Sequence, residues 1–115
     1  MIRVSNPEKV IDFYRKAFNM QLKRKKEMET FTLYFLGRED QEAEIELTYN
    51  HGEDERYEKG EGFGHLAFRT DKNLQQAYQD AVDAGGERYR PPEDCPGDYC
   101  FVKDPEGYEV EIIRG

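Results

Sequence analysis

Three residues of this chain, Glu46, His65 and Glu111, have the types and setting that catalysis needs. Glu46 lies in Glu44-Ile45-Glu46-Leu47 and Glu111 in Glu109-Val110-Glu111-Ile112, two copies of one acidic and apolar alternation. Alternate side chains of an extended strand point to opposite faces, so each glutamate faces away from its apolar neighbours. His65 opens the second half of the chain, three residues before Phe68. Carboxylate and imidazole together suit a divalent transition metal, and such a set with open positions suits Lewis-acid catalysis better than a closed structural site. A carboxylate there can also carry a proton. Taken singly, each residue is an ordinary polar position on a half-buried strand. Their equivalence within a repeat sets them apart.

The repeat covers the whole chain. Ile2-Arg3-Val4 and the segment from Pro7 to Met20 match Phe68-Arg69-Thr70 and the segment from Leu74 to Gly86. Asn6-Pro7 is a helix-start signal, and Val10, Ile11, Tyr14, Ala17 and Phe18 recur at spacings of three and four up to a stop at Asn19. Leu74, Ala77, Tyr78, Ala81 and Val82 form the second stripe, stopped by Gly85-Gly86. Strands are predicted over Gln21 to Met28, Phe31 to Leu36, Ala43 to Tyr49, His65 to Thr70, Glu87 to Arg90, Asp98 to Lys103 and Tyr108 to Ile113. Asp104-Pro105-Glu106-Gly107 is a turn, and the polar stretch after Asn50 is a connector. The order is strand, helix, three strands, then the same again.

With 115 residues the chain is one domain. A net charge of -8 and a charged fraction of 37% disfavour nucleic acid and anionic membranes as partners. No apolar run is long enough for a membrane span and no basic-then-apolar leader opens the sequence, so the expected location is cytoplasmic. Cys95 and Cys100 lack zinc-pair spacing and read as reduced thiols. The basic run Lys23-Arg24-Lys25-Lys26 reads as a solvated edge strand. There is no G-x-G-x-x-G, no nucleophile elbow and no Ser/His/Asp ordering.

The stretches Ile2-Arg3-Val4, Asp12-Phe13-Tyr14, Glu44 to Asn50, Gly64-His65-Leu66-Ala67-Phe68 and Asp104 to Glu111 resemble glyoxalase I, also called lactoylglutathione lyase, of the vicinal oxygen chelate superfamily. The resemblance implies an α+β fold of two βαβββ modules, about residues 1–50 and 64–115 joined by a connector over about 51–63, pairing into a homodimer. It implies Glu46, His65 and Glu111 as metal ligands, with Glu46 from one subunit and the other two from its partner, and nickel or cobalt favoured over zinc. Glu111 is then the principal base, with Glu46 the second catalytic carboxylate, and Arg3 and Asn50 contact the glutathione part of the substrate. The implied reaction converts the hemithioacetal of methylglyoxal and glutathione to S-lactoylglutathione.

Two features depart from the resemblance. The family's first ligand is a histidine two residues before the position of Met1, so either the chain starts at an internal methionine or it has three ligands. The loop from Arg90 to Gly97 carries Glu93 and Asp94 where relatives hold a substrate carboxylate, which points to another thiol or another α-hydroxycarbonyl unless Arg88 or Arg90 compensates. The competing readings are a metal-free drug-sequestering protein, with Tyr34, Phe63, Tyr99 and Phe101 as cleft walls, and an acyl-coenzyme A epimerase.

Overall fold

Pro7 has no N–H to leave unsatisfied and its φ is preset for a helix, so it opens the first helix directly after a capping asparagine. In the computed structural model, which describes residues Met1–Gly115, Asn6 accepts a hydrogen bond from the Lys9 N–H at 3.3 Å. The helix, α1, spans Pro7–Phe18 and ends at Asn19, which takes the left-handed conformation with φ 55°. The second helix, α2, spans Leu74–Asp83 and is capped by Asn73, which accepts from the Gln75 and Gln76 N–H groups. Gly85 follows it at φ +112°. Next to it, Gly86 has no room for a side chain: a Cβ would come within 2.8 Å of Phe13 and of the Ala81 carbonyl. These glycines therefore stop α2 and let it close onto α1.

Eight strands complete the chain: β1 Ile2–Arg3, β2 Gln21–Glu27, β3 Phe31–Gly37, β4 Glu44–Asn50, β5 Leu66–Thr70, β6 Glu87–Arg90, β7 Tyr99–Lys103 and β8 Glu109–Arg114. They form two four-stranded sheets with the same topology, β1-β4-β3-β2 and β5-β8-β7-β6. In each, the first pairing is parallel and the rest antiparallel. The two βαβββ modules expected from the repeat are present. β2 is exposed along its length at a sheet edge, where charged side chains discourage pairing with another chain.

Several strand ends differ from expectation by one residue. His65 lies just before β5 rather than within it, because pairing with β8 begins at Leu66 opposite Val110. Tyr108 precedes β8 because its N–H turns to the Asp104 carboxylate. The loop after β6 holds one turn of 3-10 helix over Pro92–Asp94.

Each sheet turns one face to the helices. Ile2, Val4, Leu36 and Leu47 from the first sheet and Cys100, Val102, Val110 and Ile112 from the second join one hydrophobic cluster with Val10, Phe13, Tyr14, Phe18, Ala77, Tyr78 and Ala81. The cluster runs across both modules, and Phe18 of α1 stacks on Phe68 of β5 with ring centroids 4.3 Å apart.

A buried polar network crosses the same junction. Tyr14 donates to Asp104 at 2.7 Å, and Asp104 also accepts from the Glu106 and Tyr108 N–H groups. Glu106, which is 1% exposed, accepts from the Ser5 hydroxyl and, at 2.9 Å, from the Asn6 N–H. A carboxylate at the start of α1 is also favoured by the helix dipole. Tyr108 donates its hydroxyl to the Arg3 carbonyl at 2.7 Å. The turn before β8 therefore holds β1 and the start of α1. Neither helix is long and apolar enough to cross a membrane.

Candidate functional site

Alternation along β4 and β8 places the glutamates as the sequence predicts. Leu47 and Ile112 are buried against the helices, while Glu46 and Glu111 sit on the opposite face of their sheets. Their registers are equivalent: Phe35 is the cross-strand partner of Glu46, and Phe101 that of Glu111.

His65 and Glu111 meet. His65 Nε2 lies 3.0 Å from Glu111 Oε1, and the imidazole packs edge-on against Phe101 with ring centroids 5.0 Å apart. Glu111 is mostly covered, with 18% of its side chain exposed, while His65 is half exposed. This geometry gives a nitrogen and an oxygen donor side by side on an open sheet face, which fits a divalent metal in donor chemistry.

Glu46 does not join them within one chain. No group of three or more His, Cys, Asp or Glu converges anywhere in the molecule. The clefts, including one of about 520 Å³ beside Arg56 and Lys59, contain none of the three residues. Each of the two glutamates lies on the sheet face opposite the helices.

Arg3 and Asn50 fall on the Glu46 face. Arg3 pairs with Thr48 in the parallel register, and Asn50 follows Glu46 and Thr48 on alternate positions of β4. The Asn50 amide donates to the Tyr57 hydroxyl at 3.1 Å. Sequence reasoning missed Tyr57, because nothing in a polar connector marks which residue will fold back. It also read Asp104 and Glu106 only as turn residues, since the partners that bury them lie about a hundred positions away.

Other sequence readings are resolved by contacts. His51 shares a 2.8 Å hydrogen bond with the buried Thr32 hydroxyl and does not approach the candidate donors. The basic run of β2 is largely neutralised within the chain, through Lys23–Glu39, Arg24–Glu44 and Lys25–Glu27. Both cysteines are free thiols; burial pushes that of Cys100 up to about 12. Of the four aromatics proposed as cleft walls, Tyr34 packs against the core and Phe63 against Tyr108. Tyr99 and Phe101 remain on the Glu111 face.

Residues 1–112 match the family model for the Glyoxalase/Bleomycin resistance protein/Dioxygenase superfamily. The chain belongs to this superfamily. Within it, the chain is 38% identical to a probable lactoylglutathione lyase of Synechocystis, over 99% of this chain and 91% of that protein. It is 39% identical to the lactoylglutathione lyase of Escherichia coli O157:H7, over 99% of this chain and 88% of that one. The glyoxalase I of Leishmania major, described as trypanothione-dependent, superposes with a TM-score of 0.84 at 30% identity, covering 99% of this chain and 83% of the other. The glyoxalase fold therefore extends over the whole chain, and the chain is lactoylglutathione lyase-like from end to end.

Proposed function

We propose that this protein isomerises the hemithioacetal of methylglyoxal and glutathione to S-lactoylglutathione, at a site built between two copies of the chain in a cytoplasmic homodimer. The observation that carries this reading is the His65–Glu111 pair, 3.0 Å apart on an open face, with Glu46 at the equivalent register of the other sheet. The lactoylglutathione lyases among its relatives support the reaction class. The separation of Glu46 from the pair within one chain supports a second copy as the source of the missing carboxylate.

In this reading Glu46 of one copy faces His65 and Glu111 of the other, and these residues hold a divalent metal, nickel or cobalt rather than zinc. Such an ion would supply Lewis-acid stabilisation of negative charge developing on the substrate. Glu111 takes the proton from the carbon bearing sulfur and returns it to the adjacent carbon. One C–H and one O–H bond break and one of each forms, the hydroxyl proton leaving the oxygen on the carbon bearing sulfur and a hydroxyl proton arriving at the oxygen on the adjacent carbon, so no oxidant or reductant is consumed. The contact with His65 holds the Glu111 carboxylate on the open face, and Phe101 supplies an apolar wall beside it. Glu46 is the second carboxylate able to hold or pass a proton. Arg3 and Asn50 orient the thiol portion of the substrate through charge and amide contacts.

Calorimetric titration with nickel and zinc, together with an assay of S-lactoylglutathione formation, tests this on two proteins: this chain and one extended upstream through any encoded histidine. By register, the counterpart of His65 falls two residues before Met1. Binding near one metal per site, with turnover lost on chelation and regained with nickel, is the expected result. Binding by neither protein would sink the isomerase reading in favour of metal-free ligand binding.

A further inference from the structure

No ion pair of the chain involves Glu46. Yet a cation stands in its own row: Arg24, Phe35 and Glu46 are successive cross-strand partners over β2, β3 and β4. A guanidinium that gripped Glu46 through two hydrogen bonds would compete with a metal for the same oxygens.

Arg24 goes to Glu44 instead. Its two terminal nitrogens meet the two Glu44 oxygens at 3.1 and 2.9 Å, and its guanidinium lies 4.1 Å over the Phe35 ring. The side chain therefore already crosses β3 to reach β4. Glu44 and Glu46 share a face of β4 about 7 Å apart, and by register it is Glu46 that stands directly in line with Arg24. Reaching Glu46 demands no longer span than reaching Glu44.

Gly37 makes room for the diagonal contact. It is the cross-strand partner of Glu44, and a Cβ there would stand 3.3 Å from Glu44 Cγ. Without one, the Glu44 side chain can lean across β3 toward β2. The adjacent lysines of β2 have other partners, Lys23 with Glu39 and Lys25 with Glu27. In the second sheet the equivalent row is Arg90, Phe101 and Glu111, and there the Arg90 guanidinium lies 5.3 Å from the ring of Tyr89 while Glu111 meets His65. Glu109, the counterpart of Glu44, faces Lys103. The diversion of the arginine to a carboxylate is thus a feature of the first sheet.

We propose that Glu44 is a positioning residue: by gripping Arg24 it keeps the guanidinium off Glu46 and leaves that carboxylate free for a divalent metal. The proposal rests on the isomerase reading above.

The test measures nickel affinity by calorimetry for the unmodified protein, Glu44→Gln, Arg24→Ala and the variant carrying both changes, with Glu39→Gln as a control for net charge. Crystal structures of metal-free Glu44→Gln and of the unmodified protein locate the guanidinium alongside. Glu44→Gln keeps the shape of the side chain and removes its charge. It is expected to bring Arg24 onto Glu46 and to lower nickel affinity about 10- to 100-fold, the range seen when residues around the ligands are changed, with the melting temperature little altered. Adding Arg24→Ala should restore the affinity, because the competitor is gone. Arg24→Ala alone and Glu39→Gln should stay close to the unmodified protein. An Arg24 side chain that stays off Glu46 in Glu44→Gln, a loss that Arg24→Ala does not repair, or an equal loss in Glu39→Gln overturns the assignment while leaving the isomerase reading standing. Absence of nickel binding by the unmodified protein counts against the isomerase reading, and the Glu44→Gln crystal structure then decides the assignment: Arg24 on Glu46 keeps it, and Arg24 elsewhere overturns it.

Discussion

The Tyr14 hydroxyl donates a 2.7 Å hydrogen bond to Asp104, tying the first helix of one module to the turn before the last strand of the other. Both residues are fully buried. Burial, reinforced by the Asp104 charge, holds the Tyr14 phenol well above its ordinary range. Burial also raises the Asp104 carboxyl, against the opposing effect of the three hydrogen bonds it accepts. The junction is therefore a place where protonation and packing are linked.

Removing the phenol should show this directly. Tyr14→Phe leaves one Asp104 oxygen without its donor and is expected to cost about 1–3 kcal/mol at neutral pH. The folded state binds the Tyr14 proton more tightly than the unfolded chain, so the stability it contributes is complete below about pH 10 and is lost as pH rises further. Urea unfolding across the alkaline range should show a shallower decline for Tyr14→Phe than for the parent. Parallel curves would remove Tyr14 from the linkage.

Glu106 makes a second contrast. Glu106→Ala strips the acceptor from both the Ser5 hydroxyl and the Asn6 N–H in a buried site, with an expected loss of about 2–4 kcal/mol. Glu106→Gln keeps one acceptor oxygen and should lose less. Thermal melts of the pair measure the difference; equal losses would mean that a single amide oxygen does not serve and that the carboxylate itself is required at this position.

For the proposed base, the expectation is catalytic rather than structural. Glu111→Gln should lower isomerase turnover by about 100- to 10,000-fold, the usual contribution of general base catalysis. Its melting temperature should stay near that of the parent, because the amide oxygen can still meet His65 and the core lies on the other face of β8. Retained turnover would take Glu111 out of the base role.

The two thiols should separate by accessibility. Cys95 is half-buried on the loop, whereas Cys100 is fully buried in β7 with its thiol pushed up to about 12. The thiolate is the reactive form, so a thiol-reactive dye at pH 8 should label Cys95 slowly in the native protein and Cys100 only on unfolding. Equal native rates would contradict the burial of Cys100.

By itself the sequence determined the elements and the direction of the chemistry-bearing side chains. Helix caps at Asn6 and Asn19, the stripes of α1 and α2, and the alternation that turns Glu46 and Glu111 away from the core all depend on residues a few positions apart. So does the repeat that made the two glutamates equivalent. Tertiary structure alone decided that Glu46 stands apart from the His65–Glu111 pair in one chain. It also decided that Asp104 and Glu106 join the modules, and that Arg90 rather than Arg88 shares the Glu111 face. Those outcomes depend on strand register and on bonds between residues such as Ser5 and Glu106. Local spacing carries no information about such partners, because only the assembled core brings them within hydrogen-bond reach.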